Sequence, residues 1–212
     1  MKKIILTLTM AVLMATAFSQ SEKYMKTMQD KVGALDSTWD GAKLKDLSAA
    51  FERIADAEKT QWLPYYYASL SQVLYAFMKN DMPNNDGFAG KAETLLTKAE
   101  GLQPNNSEIS CIKSMIATLR MLVNPQVRWQ QYGATIQQEL DNAKKQDPNN
   151  PRPYYLQGQN IRNTPEQFGG GCNNAKPLLE EAVKKYEAFK PESNIAPSWG
   201  KAQAQQVLAT CK

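Results

Sequence analysis

Histidine is absent from the 212 residues, which removes most familiar catalytic sites. A serine or cysteine nucleophile served by an imidazole base cannot be assembled, nor can the common histidine-bearing zinc sites. Cys111, Cys172 and Cys211 are the only cysteines, too few for a cysteine-only metal site. Lysine, tyrosine and carboxylates can still transfer protons, but no arrangement of them is singled out, and Glu180-Glu181 follows ordinary helix composition. The run Gly169-Gly170-Gly171 before Cys172-Asn173-Asn174-Ala175-Lys176 lacks the Gly-x4-Gly-Lys-Ser/Thr spacing of a phosphate loop, and reads as a turn between helices. Asn105-Asn106-Ser107 has the form of a glycosylation triplet, yet its asparagine doublet already suits a turn. The expectation is a protein that is not an enzyme and holds neither metal nor cofactor.

Residues suited to recognition are easier to find. Arg152, Tyr155, Gln159 and Arg162 recur at steps of three and four, along one side of a helix, with Asn163 close by. A guanidinium fork suits a carboxylate or a peptide backbone; the plainer reading is a solvated face. Tyr65-Tyr66-Tyr67 fans over about 200° of a helix, at about 100° per residue. At least one ring is therefore expected outside a narrow core. Tyr66 is the candidate to line a groove with a flat apolar face and a hydroxyl.

Helices must position these groups. Gln103-Pro104-Asn105-Asn106 recurs as Asp147-Pro148-Asn149-Asn150. Before the first proline stand Ala92, Leu96 and Ala99; before the second, Ile136, Leu140 and Ala143. Ala175, Leu179 and Ala182 repeat the spacing, with a later proline, Pro191. Steps of four and three keep each trio on one helix face, and the proline ends the helix because the residue before it is pushed out of α geometry. Tyr24, Met25, Met28, Val32 and Leu35 are spaced for an earlier amphipathic helix, and Leu44, Leu47, Phe51 and Ile54 for another.

The trio-and-proline pattern resembles the second helix of a tetratricopeptide repeat. Pro153-Tyr154-Tyr155-Leu156-Gln157-Gly158 is similar to the family's first helix, with Gly158 where that helix has its glycine. Pro104 and Pro148 stand 44 residues apart, against 34 in the standard repeat. The excess is expected in loops between paired helices: Met82–Gly87, a second opening at Val123-Asn124-Pro125-Gln126, and Thr164–Gly171. The resemblance covers about residues 61–190. It implies an all-α, right-handed superhelix of antiparallel helix pairs, with hairpins at about 22–60, 61–104, 105–148 and 149–190. Pro197 is expected in the first turn of a capping helix over 197–212. The resemblance also places the Arg152 side on a concave face and implies a protein or peptide partner.

Export is expected from the first residues. Lys2-Lys3, an apolar run from Ile4 to Phe18 and the small residues Ala15, Ala17 and Ser19 follow the order of a secretory signal peptide, residues 1–19. The run is too short for a comfortable span. Without Lys2 and Lys3 the chain carries 23 basic against 21 acidic residues, a mixed surface that does not favour nucleic acid. A periplasmic or secreted monomer or weak homo-oligomer, with no span after cleavage, is the expected form. An oxidising compartment permits a disulfide. Cys172 opens one predicted helix and Cys211 closes the next antiparallel one, so their ends should meet; two unpaired thiols, or a reactive thiol at Cys172, are the alternatives. Cys111, flanked by Ile109 and Ile112, reads as a buried small hydrophobe. The leading function is a protein- or peptide-binding scaffold in the cell envelope. The alternative is a solute-binding accessory protein holding a small molecule in an aromatic pocket around Trp62 and Tyr65–Tyr67.

Overall fold

A computed structural model describes residues 22–211; the signal segment expected at 1–19 lies outside the described residues. Nine α-helices and no strand occur among them. α1 covers residues 22–36. It is followed by α2 (Gly41–Ala57), α3 (Trp62–Lys79), α4 (Asn85–Leu102), α5 (Ser107–Leu122), α6 (Pro125–Gln146), α7 (Arg152–Asn163), α8 (Cys172–Ala188) and α9 (Lys201–Ala209). Short 3-10 turns precede α4 and α8. From α2 onward each helix packs against the next in sequence, so the fold is all-α, built of antiparallel neighbours. α9 packs on α8 and closes the C-terminal end.

Local sequence sets the helix limits. The Asn106 side chain accepts hydrogen bonds from the Glu108 and Ile109 amides and caps α5. Pro125 opens α6, where its missing N–H costs nothing. Asn80 closes α3 in the left-handed conformation, at φ 52°. The three spaced trios all face inward: Ala92, Leu96, Ala99, Ile136, Leu140, Ala143, Ala175, Leu179 and Ala182 are buried. Full burial of a side chain such as Leu96, Leu140 or Leu179 contributes roughly 1.5–3 kcal/mol. Gly158 is needed where α7 meets α8, since a Cβ there would stand 2.8 Å from the Leu179 side chain.

α3 explains the tyrosine run. It carries no charged residue before Lys79 and packs against α2, α4 and α5. A helix that is apolar all round belongs in the interior. Tyr65, Tyr66 and Tyr67 are 7%, 0% and 1% exposed, so the expectation that one ring would stand outside the core fails. The 200° fan is accommodated because α3 has neighbours on several sides.

Two other expectations are corrected. The extra length of the second hairpin is not a loop: only Val123 and Asn124 separate α5 from α6, and α6 runs for 22 residues. Pro125 starts that helix rather than holding a loop open. Pro197 is not in the first turn of the last helix, which begins at Lys201 after a left-handed Gly200 at φ 105°. Residues 195–199 instead form a turn-rich segment laid against the helices.

Candidate functional site

That segment decides the fate of the expected recognition face. The Tyr67 hydroxyl donates to the Ile195 carbonyl (2.9 Å), and Arg152 Nη2 donates to the Pro197 carbonyl (2.6 Å). Ser198 donates to Asp36 (3.0 Å), and the Tyr186 hydroxyl donates to the Trp199 carbonyl (3.1 Å). Trp199 Nε1 donates to the Tyr66 hydroxyl (2.8 Å), which in turn donates to Glu108 (2.9 Å). The chain's own residues 195–199 thus partner Arg152 and Tyr66, two of the residues expected to meet a bound peptide.

Arg152 is fully buried. Its Nη1 lies 2.7 Å from Glu108, which is 13% exposed, and its guanidinium stands 4.8 Å from the Phe189 ring centre and 5.2 Å from that of Trp199. Asn150 adds a third donor to Glu108, at 2.7 Å. Burial works against the Arg152 charge, but Glu108 beside it holds the group protonated. Burial, then Glu108, pushes the Tyr66 hydroxyl well above the usual tyrosine range. Apart from Arg152 Nε, which is buried with no hydrogen-bond partner, these groups partner one another and form a structural knot joining α3, α5, α7 and the 195–199 segment.

The remaining residues expected on that face are divided between the core and the surface. Tyr155 is buried, and burial pushes its hydroxyl up to about 12, opposed by a hydrogen bond with Gln159. Gln159 and Arg162 are half-buried, while Asn163 is exposed and accepts from Arg162 at 3.3 Å. The physical reason is that α7 packs against α5, α8 and α9, which turns its Arg152–Tyr155 side inward. Cys172 and Cys211 are joined in a disulfide, and Cys111 is free and buried.

An open site lies elsewhere, in a groove of about 350 Å³ between α4, α5 and α6. That volume is within the range of small-molecule sites. Its floor is apolar: Leu96 from α4, with Ile116 and Ala117 from α5. Tyr132, Thr135 and Glu139 come from α6 at steps of three and four, giving it an aromatic wall. Two ion pairs cross its rim, Lys113 to Glu100 at 2.5 Å and Arg120 to Glu93 at 2.6 Å. Arg128 binds Asp86 (2.8 Å) and the Arg120 carbonyl (3.0 Å), with its guanidinium 5.9 Å from the Tyr132 ring centre. The groove combines an apolar floor of nearly buried side chains, one aromatic ring and cations at the edge.

Sequence reasoning missed these residues. The first half of α6 held the signal: Val127 and Trp129 are 74% and 58% exposed, large apolar residues on a helix that outruns its neighbours. α6 has 22 residues and α7 only 12.

No family model matches the chain, and no curated protein matches it. Among solved structures, the HusA haemophore from Porphyromonas gingivalis aligns with a TM-score of 0.81 and 42% identity, covering 89% of this chain and 92% of that one. The chain belongs to the HusA haemophore family. Membership corrects the leading functional expectation: the HusA relative is a haemophore, so the protein- or peptide-binding scaffold gives way to the small-molecule alternative. Membership does not rescue the pocket that alternative named, because Tyr66 and Tyr67 are packed and hydrogen-bonded inside the protein. The tetratricopeptide assignment is not confirmed; what stands is the helical HusA-type fold of paired neighbours. No described helix is long and apolar enough to cross a membrane, and no metal-type cluster occurs among the described residues.

Proposed function

We propose that this protein is an exported carrier that binds haem or a related porphyrin in the α4–α5–α6 groove. The observation that carries the reading is the 42% identity to the HusA haemophore over nearly the whole of both chains. The groove's chemistry suits such a cargo. A porphyrin offers a broad flat apolar ring and charged carboxylate arms, and the groove offers Leu96, Ile116, Ala117 and Tyr132 beneath Lys113 and Arg120. With no histidine in the sequence, imidazole cannot hold the iron. The Cys172–Cys211 disulfide supports function in an oxidising compartment, in keeping with the signal-like residues Lys2–Ser19 and a periplasmic or secreted location.

Absorption titration of the purified protein with haemin tests the proposal. A saturable change in the Soret band at one ligand per chain is expected. Zinc and metal-free porphyrins should bind within a few-fold of haemin. A change that grows linearly without saturation, as for an unrelated helical protein, would remove the reading.

A further inference from the structure

We propose that the two ion pairs between α4 and α5 select for carboxylates. A dicarboxylate porphyrin binds by exchanging its own carboxylates for Glu93 and Glu100 as partners of Arg120 and Lys113. The inference rests on the groove being the porphyrin site.

Lys113 and Arg120 stand seven residues apart on α5, two turns along nearly the same face, or about 10 Å at 1.5 Å per residue. Glu93 and Glu100 have the same separation on antiparallel α4, so each cation meets one carboxylate. Ile116 and Ala117 lie between the cations on the apolar floor. The two fixed charges therefore flank the bed on which a flat ring would rest, and flexible carboxylate arms on one ring edge can reach both.

The groove is not a simple basic pocket. Glu93, Glu100 and Glu139 outnumber Lys113 and Arg120 among its lining residues. A dianion entering with both glutamates still in place meets net repulsion. Replacing them keeps two ion pairs and releases two carboxylates to water. That release is easy, because the Glu93 and Glu100 side chains are 59% and 41% exposed while Arg120 and Lys113 are only 25% and 33% exposed. Arg128, held by Asp86 at the end of the groove, keeps its own partner and sits outside the exchange. A ligand whose carboxylates are esterified takes no part in the exchange and leaves the glutamates in place. The glutamates thus act as built-in competitors, and selectivity between acid and ester comes from these four side chains.

Fluorescence titration with protoporphyrin IX and with its dimethyl ester tests this. Glu93→Gln with Glu100→Gln should tighten binding of the acid by about fivefold, the scale of exposed ion pairs, and leave the ester unchanged. Lys113→Gln with Arg120→Gln should weaken the acid by a similar factor and spare the ester. The pair-reversing variant Glu93→Arg with Arg120→Glu preserves an ion pair and so the local fold, yet it should still lower the acid-to-ester ratio. Acid and ester affinities that move together in all three variants would overturn the exchange while leaving porphyrin binding intact. Failure of the unaltered protein to bind either porphyrin would overturn the functional reading itself, and the exchange with it.

Discussion

Replacing Arg152 by methionine separates a structural role from a recognition role at the residue that the sequence most favoured for binding. The substitution keeps much of the side-chain volume and removes the charge. Glu108, 13% exposed, then loses its 2.7 Å ion pair and keeps only the Tyr66 and Asn150 donors. The Pro197 carbonyl loses its 2.6 Å donor, and the Phe189 and Trp199 rings lose the cation between them. Removing one partner of a buried pair costs about 3–5 kcal/mol, mostly because the other charge is left uncompensated. For a chain of this size the midpoint of thermal unfolding should fall by roughly 10 °C. Urea unfolding followed by circular dichroism measures the free energy directly. The double variant Glu108→Gln with Arg152→Met should cost less than the sum of the two single changes, since neither charge is then stranded. A loss below about 1 kcal/mol for Arg152→Met, with ligand affinity changed instead, would refute the buried-knot account and return Arg152 to an open recognition face.

Three further outcomes follow from the same packing. Replacing Cys172 and Cys211 by serine removes a link spanning 39 residues and should lower stability by roughly 3–4 kcal/mol on chain-entropy grounds, read by urea unfolding against the oxidised protein. Gly158→Ala should destabilise by about 1–3 kcal/mol, because its Cβ meets Leu179 at 2.8 Å where α7 and α8 touch; a neutral result would mean that the helices can part freely. Alkaline titration should show late ionisation of buried tyrosines. Burial raises the Tyr155 hydroxyl to about 12 and raises those of Tyr66, Tyr67 and Tyr186 further. A folded-state pKa above the unfolded value near 10 gives stability that is complete below pH 10 and is lost as pH climbs through the folded value. For Tyr155 alone the loss is on the order of 2–3 kcal/mol. Tyrosinate absorbance should therefore rise together with the loss of helix signal, whereas early, gradual ionisation of all nine tyrosines would contradict their burial.

The fold was legible because its signals are local and periodic. Ala92, Leu96 and Ala99, with their counterparts before Pro148 and Pro191, mark faces that are buried in the structure. The cysteine pairing followed from helix lengths and direction, and the disulfide is present. The candidate site was not legible for two reasons. Helical periodicity tells which residues share a side but not what covers that side. Arg152 and Tyr155 share a side, but it packs inward, and residues 195–199, which no repeat pattern describes, cap Arg152. The groove residues come from three helices, and each is ordinary in its own segment: Lys113 and Arg120 read as solvated charge, Ile116 as core. Only their juxtaposition gives a bed with charged edges. Val127 and Trp129 were the local hint, large apolar residues in a stretch of α6 otherwise rich in glutamine.

The central claim is that the α4–α5–α6 groove binds a porphyrin. Thr97 and Thr135 line it from opposite walls and are exposed, so tryptophan at both positions fills the groove without entering the core. The decisive measurement is equilibrium titration of metal-free protoporphyrin IX against the unaltered protein and this double variant, with circular dichroism to show that both are folded. Saturable one-to-one binding that weakens at least about tenfold in the filled variant, or about 1.4 kcal/mol, is the predicted result. Equal affinity in the two proteins would contradict the groove as the site.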